Sequence, residues 1–148
     1  MSSQDNLHAV RRLLIEGFGG GDLKVVDELV AADFEEHQNG SQGHGPEAVK
    51  RIISGLHASL SDLRLDIQSM VTDGDTVWTR IRATAVNTKP IMGRPATGKP
   101  AEIDIIDVIR FRDGKMVEHW GVADRLGMLQ QLGLLPLPPG RAAASSDA

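Results

Sequence analysis

The sequence contains no cysteine and no tyrosine, which excludes disulfides, thiolate nucleophiles, cysteine-ligated zinc and a phenolic acid. No apolar run approaches the roughly 18 residues of a membrane span, and the polar N-terminus lacks a signal-peptide profile. A formal charge of −4 without a basic cluster disfavours nucleic-acid binding. We therefore expect a cytoplasmic protein with no membrane or nucleic-acid partner, which uses Asp, Glu, His or Lys for any acid–base chemistry.

The 148 residues are enough for one substantial hydrophobic core but not for two. We predict a single domain over residues 1–135. Residues 136–148 are rich in Pro, Ala and Ser and lack periodicity, which is typical of a disordered tail.

The hydrophobic period changes from helical to alternating near residue 60. Helical spacing predicts one helix from Leu7 to Phe18, a second from Leu23 to Val30 and a third from Pro46 to Leu60. Alternating residues then predict strands joined by turns at Asp73-Gly74 and Asp113-Gly114, followed by a closing helix. Helices followed by an antiparallel meander indicate an α+β fold.

Asp107 interrupts an otherwise apolar strand face formed by Ile103, Ile105, Ile109 and Phe111. A buried carboxylate must be paired, become neutral or line a cavity that needs it. Lining a pocket is the leading interpretation. The structural alternative is neutralisation by an arginine such as Arg80 or Arg82.

The turn at Asp113-Gly114 leaves two registers open for the last hairpin. A two-residue turn places Asp107 opposite Trp120, and His119 then points away. A three-residue turn with a bulge places Asp107 opposite His119, which makes an acid–base dyad. Asp124 precedes the closing helix, so it is a candidate helix cap as well as a candidate catalytic carboxylate.

Residues Asp107–Asp124, ending in Gln131-Leu132-Gly133, resemble the SnoaL-like polyketide cyclase family. The resemblance extends upstream through Gly43–Glu47, Asp73–Asp75 and Met92–Lys99. It implies a cone-shaped barrel in which a curved antiparallel sheet and N-terminal helices surround a deep apolar pocket.

The resemblance also implies ring closure of a small hydrophobic, aromatic or polycyclic substrate by intramolecular aldol condensation, with no cofactor and no metal. The position matching the family's general acid/base is Asp124, with His119 assisting and Asp107 polarising a substrate oxygen. Expected substrate contacts are Trp120, by stacking, together with His37, Asn39, Asn87 and Met92. A homodimer or higher homo-oligomer is expected.

Two other function classes remain open. Asp107 and Asp124 would permit an epoxide hydrolase or isomerase in the same fold, in which paired carboxylates activate water and protonate the leaving oxygen. The third possibility is a non-catalytic module that binds a small molecule in the pocket.

Overall fold

The computed structural model describes residues 2–136 and 138–139. Within them the helical elements are α1 (Ser3–Arg12), a π-helical segment (Leu13–Gly19), α2 (Lys24–Leu29), α3 (Gly45–Ser59) and α4 (Arg125–Gln131). The strands are β1 (Val30–Glu36), β2 (Gly43–His44), β3 (Leu60–Asp73), β4 (Thr76–Asn87), β5 (Pro100–Arg112) and β6 (Lys115–Ala123). Most of the predicted C-terminal tail lies outside the described residues. No described helix is both long and apolar enough to cross a membrane.

The first helix begins at a capping box. The backbone N–H of Asp5 donates to the Ser2 hydroxyl at 3.2 Å, and the Ser2 N–H donates to the Asp5 carboxylate at 2.8 Å. The helix continues directly into the π-helical segment, and the chain turns at Gly21, whose φ of 75° favours glycine. The predicted helix through Phe18 is confirmed, although its second half has the wider π-helical turn.

The segment after α2 is a strand, so the prediction that Val30 continues the second helix is wrong. β1 pairs in parallel with β6 on one side and antiparallel with β2 on the other. Val30 and Phe34 are both buried, and the β-branched Val30 suits an extended backbone better than a helix end. The sheet is therefore mixed, and the expectation of a purely antiparallel sheet is corrected at the β1–β6 pair.

The six strands form one curved sheet in the order β2-β1-β6-β5-β4-β3. Strands β3 to β6 make the predicted antiparallel meander. The β3–β4 register shifts between Ser61 and Arg64 and again between Ile67 and Ser69, and such irregularities bend a strand. The predicted cone-shaped α+β fold is confirmed, but its sheet stays open and does not close into a barrel.

The inner face of the sheet packs against the helices to form the main core. The predicted face of β5 is confirmed, because Asp107, Ile109 and Phe111 are all buried while their immediate neighbours in the strand are more exposed. Apolar side chains from the helices and from the other strands complete this core, including Val10, Leu14, Val49, Ile53, Val77 and Ile81.

The outer face of the sheet carries exposed apolar side chains. Trp78, Val108 and Trp120 are neighbours across β4, β5 and β6, and Trp78 and Trp120 remain 47% and 40% exposed. The homodimer or higher homo-oligomer expected from the sequence stays a prediction.

Candidate active site

A bulge in β6 decides which residues face Asp107. Asp113 and Gly114 form a two-residue turn with φ of 51° and 76°, and Arg112 pairs with Lys115. The register then shifts by one residue, so that Asp107 pairs with Gly121 and His119 lies on the same face. The two-residue turn was one of the two registers considered, but its predicted Asp107–Trp120 pair is wrong because of the bulge.

His119 lies between two carboxylates. Its Nε2 is 2.9 Å from Oδ1 of Asp107, and its Nδ1 is 2.7 and 2.8 Å from the two oxygens of Glu36. The side chains of His119, Asp107 and Glu36 are only 15%, 11% and 4% exposed. The predicted acid–base dyad of Asp107 and His119 is therefore present and is extended by a third residue, although the three-residue turn and the direct Asp107–His119 strand pair of the second register are wrong. We call these three residues the buried triad.

The buried triad raises the pKa of His119. Burial alone would lower this pKa, because desolvation disfavours the imidazolium. Hydrogen bonds to Asp107 and Glu36, together with the attraction of their charges, outweigh burial and raise the pKa to about 9. His119 is therefore mostly an imidazolium at neutral pH, and it donates a hydrogen bond to each carboxylate.

Glu36 is the residue that the sequence reasoning missed. It ends β1, where its Cα is paired with that of His119 across the parallel β1–β6 contact. Its carboxylate also accepts a hydrogen bond from the backbone N–H of Gln38 at 2.9 Å. The signal in the sequence was the spacing of Phe34 and Glu36, which share a strand face, but recognising it required β1 to be assigned as a strand.

The buried triad lines a largely apolar cavity of about 820 Å³ between the sheet and the helices. This volume lies in the usual range for small-molecule sites. Asp107, His119 and Glu36 line it together with Gln38 and two arginines, Arg51 and Arg125. The apolar lining comes from every layer of the fold and includes Leu14, Phe18, Phe34, Val49, Ile81, Ile105, Met116 and Leu129.

Gly121 lets three polar side chains meet on the cavity wall. A Cβ at this position would lie 2.4 Å from Oε1 of Gln38, 2.7 Å from Oδ1 of Asp107 and 2.9 Å from Cε1 of His119. All three distances are shorter than normal packing allows, so the space above Gly121 is available only because it has no side chain. The Gln38 amide therefore lies beside the Asp107–His119 hydrogen bond.

The structure does not bring Asp124 to the buried triad. Asp124 is exposed, caps α4 by accepting a hydrogen bond from the Gly127 N–H at 2.9 Å, and does not line the cavity. Its capping role is the alternative that the sequence left open. Arg82, one candidate partner for Asp107, pairs with Asp104 instead.

Trp120 and His37 also lie outside the cavity lining, so the structure does not place these two predicted substrate contacts in the cavity. Even-numbered residues near this end of β6 point to the outer face, where the Trp120 and His37 rings stack with centroids 4.9 Å apart. Nε2 of His37 is 3.3 Å from a Glu118 oxygen. The two rings therefore stack on each other at the outer face of the sheet.

Two other predicted substrate contacts, Asn39 and Asn87, lie outside the cavity lining. Asn39 is exposed outside the cavity lining, and its side chain accepts a hydrogen bond from Gln42. Asn87 is fully buried, and its amide donates to the carbonyls of Ser59 and Lys89 and accepts from Thr97. Asn87 therefore anchors the loop over residues 88–99 and does not line the cavity.

Met92 does line the cavity, and it is 74% exposed, which places it at the opening. Its predicted contact with substrate stays a prediction. In the described part of the chain, no group of three or more His, Asp or Glu residues is arranged to hold a metal ion.

The fold is an open cone of sheet and helices around an apolar cavity, and acid–base side chains are buried in the cavity wall. These features are typical of proteins that bind a small molecule. The chain belongs to the SnoaL-like polyketide cyclase family, whose model matches residues 8–132. This membership confirms the resemblance read from the sequence.

Two relatives are aklanonic acid methyl ester cyclases. DnrD from Streptomyces peucetius is 27% identical over 146 residues, which cover 95% of this chain and 98% of DnrD. DauD from Streptomyces sp. (strain C5) is 28% identical over 145 residues, which cover 95% of this chain and 88% of DauD. These similarities support a cyclase-like function and a small-molecule substrate.

Solved structures agree with the fold. Wild-type IdmH from Streptomyces antibioticus is 32% identical, with a TM-score of 0.75, and the match covers 88% of this chain and 99% of IdmH. TsrD from Streptomyces laurentii has a TM-score of 0.82 at 24% identity, over 91% of this chain and 99% of TsrD, and supports the fold alone.

We predict that Asn87→Ala destabilises the protein by about 2–4 kcal/mol, because it leaves buried backbone groups of the 88–99 loop without partners. Urea unfolding measures this loss. The matched change Asn39→Ala, at an exposed position, should alter stability by less than about 0.5 kcal/mol. Equal effects of the two changes would contradict the anchoring role of Asn87.

The charge of His119 predicts a pH-dependent stability. Because its folded pKa of about 9 exceeds the ordinary 6.5, the stabilisation is complete below pH 6.5 and disappears as the pH rises through 9. The free energy of unfolding therefore falls by roughly 3 kcal/mol as the pH rises through this range. Wild type should therefore lose more stability than His119→Gln between pH 6.5 and 9.5, and parallel curves for the two proteins would disprove the raised pKa.

Gly121→Ala should break the Asp107–His119 hydrogen bond, because the new methyl group occupies the space where these side chains meet. The pKa of His119, followed by NMR titration, should then fall. Gly55→Ala is the control, since a Cβ there meets nothing within 4 Å, and it should leave the titration unchanged. An unchanged His119 titration in Gly121→Ala would show that the side chains meet elsewhere.

Proposed function

We propose that this protein closes a ring in a small polyketide-like substrate by intramolecular aldol condensation, with Asp107 as the general acid/base. The observation that carries the proposal is the hydrogen-bonded Asp107–His119–Glu36 triad in the wall of an apolar cavity. The named activity of the cyclase relatives supports the reaction class.

The reaction begins with proton transfer to Asp107. Its Oδ1 accepts a hydrogen bond from His119, whereas Oδ2 has no partner among the described residues. Oδ2 removes a proton from a substrate carbon flanked by carbonyl groups, and the electrons of the broken C–H bond form an enolate. The enolate carbon then attacks a second carbonyl of the same molecule, which forms the C–C bond.

The same proton completes the reaction. Attack converts the second carbonyl into an alkoxide, and the Asp107 carboxylic acid returns its proton to that oxygen. The carboxylate is regenerated, so the product has the same mass as the substrate and no external oxidant or base is consumed. General acid–base catalysis of this kind contributes typically about 10²- to 10⁴-fold in rate.

His119 and Glu36 act as positioning residues for Asp107. The hydrogen bond from His119 orients the Asp107 carboxylate, and Glu36 holds the imidazole from its other nitrogen. The charge on His119 also attracts the Asp107 carboxylate, which accepts its hydrogen bond at 2.9 Å. This arrangement keeps a proton acceptor ready within an otherwise apolar wall.

Gln38 provides the group that stabilises the enolate. Its side chain lines the cavity beside Asp107 and makes no hydrogen bond to the described residues. Its amide N–H₂ donates to the carbonyl oxygen on which the enolate charge develops, in a site where little water competes. The apolar walls hold the substrate folded, which brings the two reacting carbons together.

The proposal predicts that Asp107→Asn lowers turnover at least about 100-fold, because an amide cannot accept the substrate proton. Mass spectrometry would follow purified protein with a panel of aromatic polyketide acids, their methyl esters and small epoxides. Wild type should give a product of unchanged mass. Asp104→Asn, on the outer face of the same strand, is the matched control and should retain activity.

The same assay separates the competing assignments. Asp124→Asn should keep most activity, since asparagine also caps helices well. Lost turnover in Asp124→Asn with normal turnover in Asp107→Asn would return the acid/base role to Asp124. A product that gains one water from an epoxide would identify a hydrolase instead, and a ligand bound without any chemistry would favour a binding module.

A further inference from the structure

Two arginines reach the cavity at its opening. Arg51 extends from α3 and Arg125 from the first turn of α4, and both line the cavity while remaining exposed to solvent. The buried triad lies deeper in the same cavity. The site therefore has an acidic inner part and a basic opening.

The loop that follows β1, together with Gly43 at the start of β2, lies against both guanidinium groups. A Cβ at Gly43 would lie 3.2 Å from Nη2 of Arg51, and one at Gly40 would lie 2.5 Å from Nη1 of Arg125. Nη2 of Arg125 also donates to the hydroxyl of Ser41 at 3.1 Å. The glycines therefore allow both arginines to pack closely against one loop that itself lines the cavity.

Neither arginine is neutralised within the described residues. Arg51 and Arg125 form no ion pair there, whereas Arg12, Arg82 and Arg112 each pair with a carboxylate. The two carboxylates that line the cavity are both bound to His119. The guanidinium groups thus keep donors for an anion, and a planar carboxylate is the group that their fork geometry fits best.

We propose that the substrate is a flat hydrophobic acid whose free carboxylate binds Arg51 and Arg125 at the opening. Its ring body fills the apolar cavity, and the end opposite the carboxylate reaches the buried triad. The statement that the end opposite the carboxylate is the one that reacts rests on the proposed function, and the rest of the inference does not. The two carboxylates of the triad outnumber its one imidazolium, so they repel a substrate that enters carboxylate first. The charges therefore select both the ligand and its direction.

Calorimetric titration tests this with two matched probes, anthraquinone-2-carboxylate and its methyl ester. Wild type should bind the acid at least about 10-fold more tightly than the ester, because only the acid carries the charge. The double change Arg51→Gln with Arg125→Gln should remove this preference and leave ester binding unchanged. The control Arg64→Gln, at a 73% exposed side chain outside the cavity lining, should keep the preference.

Three results would overturn the proposal: equal binding of acid and ester, no binding of the acid, or an equal loss for both probes in the double variant. The single variants Arg51→Gln and Arg125→Gln are titrated in the same way, and their thermal unfolding is recorded. A variant that unfolds like wild type but loses the preference for the acid shows a local effect, not a failure to fold. The binding readout is independent of turnover. Acid preference without any ring closure would reject the proposed function alone, and ring closure without acid preference would reject this inference alone.

Discussion

The hydrogen bonds of His119 to Asp107 and Glu36 bring together side chains from three strands, of which β1 is distant in sequence from the other two. They connect β5 and β6 to β1, which otherwise pairs with β6 at only a few positions. Burial of these three ionisable groups is tolerated because each one is paired. Removing any member leaves an uncompensated group in the cavity wall. The same interaction therefore stabilises the fold at β1 and prepares the wall for chemistry.

The bulge near the start of β6 makes this interaction possible. Without it, Trp120 would face Asp107 and His119 would point to the outer face. One extra residue thus exchanges an aromatic side chain for an imidazole in the cavity. It also places Gly121 directly opposite Asp107, where the lack of a side chain leaves room for the polar groups to meet.

Local patterns predicted much of the fold and part of the site. The alternation in β5 correctly placed Asp107 on the buried face, and the Asp113-Gly114 pair correctly indicated a tight turn. The missed features depend on pairing between distant segments. Glu36 joins the site only because β1 lies parallel to β6, and neither the strand nor its direction has a strong local signal. Asp124 was a stronger candidate in the sequence than in the structure because a helix cap and a catalytic carboxylate share one residue type.

The protonation state of His119 is the most direct test of the account. NMR spectra of protein with ¹⁵N-labelled histidine distinguish a doubly protonated imidazolium from either neutral tautomer, and His119→Gln assigns the signal. At pH 7 both ring nitrogens of His119 should carry a proton, and the titration midpoint should lie near 9. A neutral ring at pH 7, with a midpoint at or below the ordinary 6.5, would contradict the paired triad on which the proposed chemistry depends.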